Sequence, residues 1–279
     1  MNPAHGSLSG TGPNRTYTPA LDYSGPDSFT FTVTDTGDGS AAPLTSSAAT
    51  VNITVNDKVN PTVTAPANLN LGTGPGATTC GLFITETTLG TATASDNSGV
   101  VSIQRNGVPA GNIFPVGTTT ITYIATDGAG NSAQATQTVV VFDNTAPTIT
   151  MNGNVISLTP PNHGHRTINV SDLVASAADN CDASVNLSKV FIALVTSDET
   201  ALGNAGNTPD DIVISGDAKS VNLRAERDGN GDGRVYTITF RVKDQAGNST
   251  STTGKVYVPN GGQTPVDSGI KYTVNGPIQ

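Results

Sequence analysis

Phe29, Phe31 and Val33 alternate with Ser28, Thr30, Thr32 and Thr34, so a strand here carries one apolar and one hydroxylated face. The same period of two recurs in Val51, Ile53 and Val55, in Thr119, Ile121, Tyr123 and Ala125, and in Tyr236, Ile238, Phe240 and Val242. Further short runs at 134–142, 166–170, 185–195 and 254–258 are bounded by Gly, Pro, Asn and Asp. A sheet with one apolar face needs a second sheet to cover it, so the pattern predicts an all-β chain of packed sandwiches.

One unit repeats. Ile121-Thr122-Tyr123-Ile124-Ala125-Thr126-Asp127-Gly128-Ala129-Gly130-Asn131 corresponds to Ile238-Thr239-Phe240-Arg241-Val242-Lys243-Asp244-Gln245-Ala246-Gly247-Asn248, and each copy leads into a Ser/Thr-rich strand. Asp can accept from the backbone two residues on and Gly-Asn tolerates positive φ, so each copy predicts a hairpin. Phe31 to Asp35 followed by Ala49 to Val55 is a third version with a longer loop. Three closing hairpins predict three modules, with joints at Asn56-Asp57-Lys58-Val59-Asn60-Pro61 and Asp143-Asn144-Thr145-Ala146-Pro147. The expected division is 1–57 (the back half of a sandwich), 58–143, 144–259, and a tail or linker at 260–279 with a strand at 270–274.

Composition agrees with strands and turns. Thr is about 15% of the 279 residues, with 31 Gly, 17 Pro and no Trp. Thirteen Lys and Arg against 22 Asp and Glu give a net charge of −9 and no basic stripe, which argues against nucleic acid as a partner. No apolar run is long enough to cross a bilayer, so no membrane insertion is expected, and Met1 to Gly6 has no signal-peptide character. Either the protein is cytosolic or a leader lies outside this chain. Cys80 and Cys181 are far apart and are assigned to different modules, so they do not define a disulfide framework, and Cys80 reads as a buried inert thiol.

Phe114-Pro115-Val116-Gly117-Thr118-Thr119-Thr120-Ile121-Thr122-Tyr123 with Asp127-Gly128-Ala129-Gly130-Asn131, preceded by Asp96-Asn97-Ser98-Gly99, resembles the hyalin-repeat (HYR) domain, an immunoglobulin-like extracellular module. The resemblance implies a Cys at position 98 bridging one near 80; Ser98 stands there, which implies an unpaired Cys80. Tyr17-Thr18-Pro19 and Tyr23 to Asp35 are similar to the second half of bacterial cadherin-like repeats. Residues 144–259, with Pro160-Pro161-Asn162-His163 and Ala178-Asp179-Asn180-Cys181, resemble an Ig-like module that follows HYR repeats; there the resemblance implies a Cys near 246, where Ala246 stands. Together these imply tandem immunoglobulin-like and cadherin-like sandwiches in an extended array.

Asp228-Gly229-Asn230-Gly231-Asp232-Gly233 places oxygen side chains at positions 1, 3 and 5 and Gly at 6, like the first half of an EF-hand-type calcium loop. Thr239 stands at position 12 in place of a bidentate Glu, so the remaining oxygens would come from Glu226, Asp198, Glu199, Asp210 or Asp211. A plain polar hairpin tip would use the same residues without a metal. A second candidate set is Asp179-Asn180-Cys181-Asp182 and its parallel Asp96-Asn97-Ser98, which could lie near Asp127 and Asp244 or near the joints with Asp57, Asp143 and Asn144. Cadherin-type joints use acidic residues in this way to bind calcium. His163 and His165 share a strand face, yet no third zinc ligand is near. No nucleophile elbow, P-loop or dinucleotide fingerprint is present, so no enzymatic activity is expected.

The sequence therefore predicts a non-enzymatic spacer or adhesion segment of a secreted or cell-surface bacterial protein. It would act as a monomeric array, stabilised by calcium, with surface proteins or glycans as partners. An accessory carbohydrate-binding module of a larger enzyme is the alternative. It is disfavoured by the absence of Trp and by the assignment of most Tyr and Phe to in-facing positions.

Overall fold

The computed structural model describes residues 1–37, 39–40, 42–99, 101–200, 211–229 and 231–277. The chain is all-β, with sheets of two to five strands and only single-turn helices among the described residues. It forms two compact units, one of Met1–Asn70 with Phe83–Val140 and one of Leu71–Leu82 with Val141–Gln279.

The first unit opens with two hairpins. Gly6–Ser9 pairs with Thr16–Pro19, and Gly25–Phe31 pairs with Ala49–Val55, all antiparallel. Asp27 fastens one hairpin to the other. Its carboxylate is 8% exposed and accepts from the Ala4, His5 and Ser28 N–H groups and from the Tyr17 hydroxyl at 2.8–3.0 Å. Burial alone would raise its pKa, yet the donors outweigh burial and lower it from the ordinary 3.8 to about 2, while burial and the Asp27 hydrogen bond push Tyr17 up to about 12. A depressed folded-state pKa means that the contribution is complete above pH 3.8 and is lost as pH falls through about 2. The Ala4 and His5 amide signals should therefore keep their native shifts at pH 4.5 and lose them together as pH falls through about 2. Asp27→Asn should show the low-pH pattern already at neutral pH. Persistence of both signals in that variant would remove Asp27 as the fastener.

Two apolar positions in these hairpins depart from the alternation. Phe31 and Val33 are 47% and 62% exposed, in a region where the described strands form only two-stranded sheets. Phe83 and Phe142 are also exposed, whereas the other four Phe and all six Tyr are buried or half-buried.

Ser132–Phe142, Gly117–Asp127 and Val101–Asn106 lie side by side in a sheet whose fourth strand is Leu69–Gly72. Ile121, Tyr123 and Ala125 are buried at every second position, and Phe114, Leu89 and Val139 pack as core. Gln137 is fully buried without penalty: its amide donates to the Ala67 and Leu89 carbonyls and its oxygen accepts from the Tyr123 hydroxyl. On the outside, Arg105 makes a bidentate pair with Glu86, which also accepts from Asn112; Arg105 foremost lowers the Glu86 pKa to about 2.

The second unit holds one larger core. Ile156–Ser157, Ser249–Pro259, Gly233–Lys243, Phe191–Ser197 and Tyr272–Asn275 form a five-stranded sheet in that order, and His165–Asn169, Ser220–Arg224 and Ile212–Ile214 form a three-stranded one. Thr148–Met151 pairs with Val174–Ala178. Tyr236, Ile238, Phe240 and Val242 are fully buried with Leu223, Val221, Ile192 and Val256 in the same cluster. The residues read as a tail or linker do more than trail: Tyr272–Asn275 pairs with Phe191–Ser197 and satisfies an otherwise open edge.

The two cysteines also differ from expectation. Cys80 and Cys181 form a disulfide, and both fall in the second unit because Leu71–Leu82 groups with Val141–Gln279. Each lacks the partner expected within its own module, since Ser98 and Ala246 stand at those positions, and the two leftover thiols meet each other instead. Sequence separation gave no hint, because the backbone approach depends on long-range packing.

Candidate acidic cluster sites

Among the described residues, the carboxylates around Asp228 are engaged by hydrogen bonds and ion pairs. Glu199 accepts from the Asp228 N–H at 2.8 Å and from Arg234 Nε at 3.1 Å. Asp232 accepts from the Val266 N–H. Asp198 is buried, accepting from the Val235 and Ser268 N–H groups. Glu226 pairs with Arg224 and His163, and Asp211 pairs with Arg234. Asn230 and Asp210 lie outside the described residues. Gly233 is required here, since its φ is +126° and a Cβ would collide with the Val258 carbonyl oxygen.

Arg234 is the centre of this region. Its side chain is 0% exposed and donates to Asp211 Oδ2, the Tyr236 hydroxyl, Glu199 and the Thr200 carbonyl. Burial disfavours its charge, but Tyr236 and Asp211 hold the guanidinium pKa above its ordinary value; burial pushes Tyr236 up to about 12.

Carboxylates do converge elsewhere. Among the described residues, two groups of three place their oxygens within 4.8 Å of one another: Asp57, Asp96 and Asp127, and Asp143, Asp179 and Asp244. Each group lies within one compact unit. Asp179 is thus brought to a cluster, but to one without Asp198, Glu199, Glu226, Asp228 or Asp232.

The two clusters are built alike. In the first, Asp127 Oδ1 accepts from the Asn131 N–H at 2.8 Å, Asn131 Nδ2 donates to Asp127 Oδ2 and the Asp57 carbonyl, and Asp96 Oδ1 accepts from the Ser98 N–H and hydroxyl. In the second, Asp244 Oδ1 accepts from the Asn248 N–H at 2.7 Å, Asn248 Nδ2 donates to Asp244 Oδ2 and the Asp143 carbonyl, and Asp179 Oδ1 accepts from the Cys181 and Asp182 N–H groups. The repeated hairpin supplies Asp127 and Asp244, the paired Asp-Asn steps supply Asp96 and Asp179, and the two positions after a last strand supply Asp57 (the second) and Asp143 (the first).

Local donors satisfy Oδ1 of Asp57, Asp96 and Asp179 and leave Oδ2 of each bare. Asp57 Oδ2, Asp96 Oδ2, Asp179 Oδ2 and Asn180 Oδ1 are buried acceptors with no hydrogen-bond partner. Each cluster thus contains two such oxygens in or beside a set of mutually repelling carboxylates. Buried acceptors of this kind cost free energy unless a donor or a cation supplies the missing interaction. Oxygen-only donors, with neither Cys nor His in the set, fit a hard cation.

The architecture and these paired sites define a tandem of immunoglobulin-like β-modules. Within it, residues 56–141 match the HYR domain family and residues 1–54 the bacterial Ig domain family. The chain is similar to hyalin of Strongylocentrotus purpuratus, 36% identical over 135 residues that make 46% of this chain and 10% of that protein. It is also similar to hyalin of Lytechinus variegatus, 32% identical over 175 residues, 62% of this chain and 27% of that one. The chain thus spans about a tenth to a quarter of the length of the curated relatives it matches. Among solved structures, protocadherin gammaB7 EC3–6 aligns at 17% identity and a TM-score of 0.41, covering 92% of this chain and 65% of that one. Drosophila N-cadherin EC1–4 aligns at 14% and 0.41, covering 87% and 60%. No helix among the described residues is long and apolar enough to cross a membrane.

Proposed function

We propose that this chain is a non-catalytic adhesion or matrix segment of an extracellular protein, and that its two acidic clusters each hold a calcium ion. The observation that carries the reading is the duplication of one cluster design in which the equivalent carboxylates Asp96 and Asp179 each keep a bare, buried oxygen, joined by one on Asp57 in the first copy and on the neighbouring Asn180 amide in the second. Calcium accepts irregular sets of carboxylate, amide and carbonyl oxygens, whereas magnesium demands a near-ideal octahedron. Asp57, Asp96 and Asp127 would hold one ion; Asp143, Asp179 and Asp244, with Asn180 beside them, the other. Each ion would neutralise local repulsion and tie the short stretch after a module's last strand to the hairpin of the next.

The disulfide supports an oxidising, extracellular setting, where such bonds persist. The hyalin similarity supports a matrix or adhesion role, with other surface proteins as partners.

Calcium that binds only the folded state stabilises it by about 2.7 kcal/mol at one hundred times its dissociation constant. Thermal unfolding in calcium should therefore occur at clearly higher temperature than in chelator. Asp127→Asn and Asp244→Asn should each remove part of the gain, and Asp228→Ala none of it. Identical midpoints in calcium and chelator for the wild-type protein would end this reading.

A further inference from the structure

The two clusters differ at the residue after the Asp-Asn step. In the first, that residue is Ser98, and Asn97 Nδ2 donates to the Asp22 carbonyl at 2.8 Å with no covalent link nearby. In the second, the corresponding residue is Cys181, bonded to Cys80, and Asn180 Nδ2 donates to the Thr79 carbonyl at 3.1 Å. Holding the amide nitrogen of Asn180 fixes the side to which its bare oxygen turns. The Cys181 N–H also donates to Asp179 Oδ1, so the disulfide-bonded residue orients the carboxylate whose second oxygen is bare.

The same short segment reaches a second cluster residue. The Thr73 hydroxyl lies 3.5 Å from Asp143 Oδ1 and 3.0 Å from the Thr145 hydroxyl, and the Gly74 N–H donates to Asn144 Oδ1 at 2.7 Å. Residues 73–80 therefore bracket the cluster, with Asp143 at one end and Asp179 and Asn180 at the other, and the disulfide is the covalent end of the bracket.

We propose that the Cys80–Cys181 disulfide sets the cation affinity of the Asp143–Asp179–Asp244 cluster and leaves the Asp57–Asp96–Asp127 cluster untouched, making the second site redox-sensitive and the first not. This rests on the reading of both clusters as cation sites. Reduction adds two electrons and two protons, breaks the S–S bond and leaves two thiols, while a dithiol such as dithiothreitol closes to its cyclic disulfide. Freed from Cys80, the Asp179-Asn180 step loses its fixed distance from Asp143. By linkage, calcium must then favour the disulfide by the same factor by which the disulfide favours calcium.

Calorimetric titration of the full oxidised chain with calcium should show two ions, one removed by Asp96→Asn and the other by Asp179→Asn. In Cys80→Ser/Cys181→Ser the second affinity should fall about tenfold, within the usual range of coupling, and the first should stay unchanged, which also reports that the fold survives. Both affinities unchanged would overturn the proposal while leaving the cation reading intact; no binding to the oxidised wild type would end both. If the double variant fails to fold, the wild type decides: saturating calcium should shift the dithiothreitol equilibrium about tenfold toward the disulfide. That shift should persist in Asp96→Asn and vanish in Asp179→Asn. An equal shift in both variants, or none in the wild type, would overturn it.

Discussion

Arg234→Met should destabilise the second compact unit by about 3–5 kcal/mol, the usual cost of removing one partner from a buried ion pair. The loss comes less from the interaction removed than from what stays behind. Asp211, with its side chain 2% exposed, would be left with Arg224 at 3.9 Å as its cationic partner among the described residues. The Tyr236 hydroxyl would lose the donor that now meets it at 2.8 Å, and Glu199 one of its two donors. Methionine fills much of the guanidinium's volume, so an empty cavity is not the cause. Removing the stranded charge as well is therefore the decisive control: Arg234→Met/Asp211→Leu should recover most of the loss, because apolar replacements of a buried pair are often neutral. Urea unfolding followed by circular dichroism reads both variants. A double variant as unstable as the single one would mean that the cost lies in packing and that the ion pair is incidental.

Arg234 also shows where the sequence stops being legible. It follows Gly233 in a turn rich in Asp and Gly, and an arginine there reads as solvated surface; only the fold puts Asp211, Glu199 and Tyr236 around it. The carboxylates that looked free to bind calcium around Asp228 are the ones this region uses for Arg234, Arg224 and backbone N–H groups. By contrast, the buried alternation in Gly117–Asp127 and Gly233–Lys243 was readable because period two survives in any one-sided strand. The same alternation misled at Phe31 and Val33, since a pattern shows which face is apolar but not whether anything covers it. The acidic clusters lie between these cases. Each Asp sits in a local turn motif that the sequence displays, yet the meeting of Asp57 with Asp96 and Asp127, and of Asp143 with Asp179 and Asp244, joins residues tens of positions apart.

Cys80→Ser/Cys181→Ser should lower the stability of the second unit by about 2–5 kcal/mol, the span found when native disulfides are removed. The bond closes a loop with a sequence separation of 101, for which the chain-entropy account gives about 4.7 kcal/mol when the whole loop is unfolded in the reference state. That condition is the informative part. Phe83–Val140 lies inside the loop and belongs to the first compact unit. If that region stays folded while the second unit unfolds, the free chain to be closed is much shorter and the loss moves toward the lower end. If both unfold together, it moves toward the upper end. Denaturant titration in calcium-free buffer separates the two cases, because independent unfolding gives two transitions and the substitution then shifts only the one reporting Tyr236 and Tyr272. A coincident transition in the wild type, shifted as a whole, would show that the disulfide constrains the unfolded chain across both units. A variant as stable as the wild type would mean that the hydrogen bonds of Thr73, Thr79 and Asn144 hold Leu71–Leu82 in place unaided.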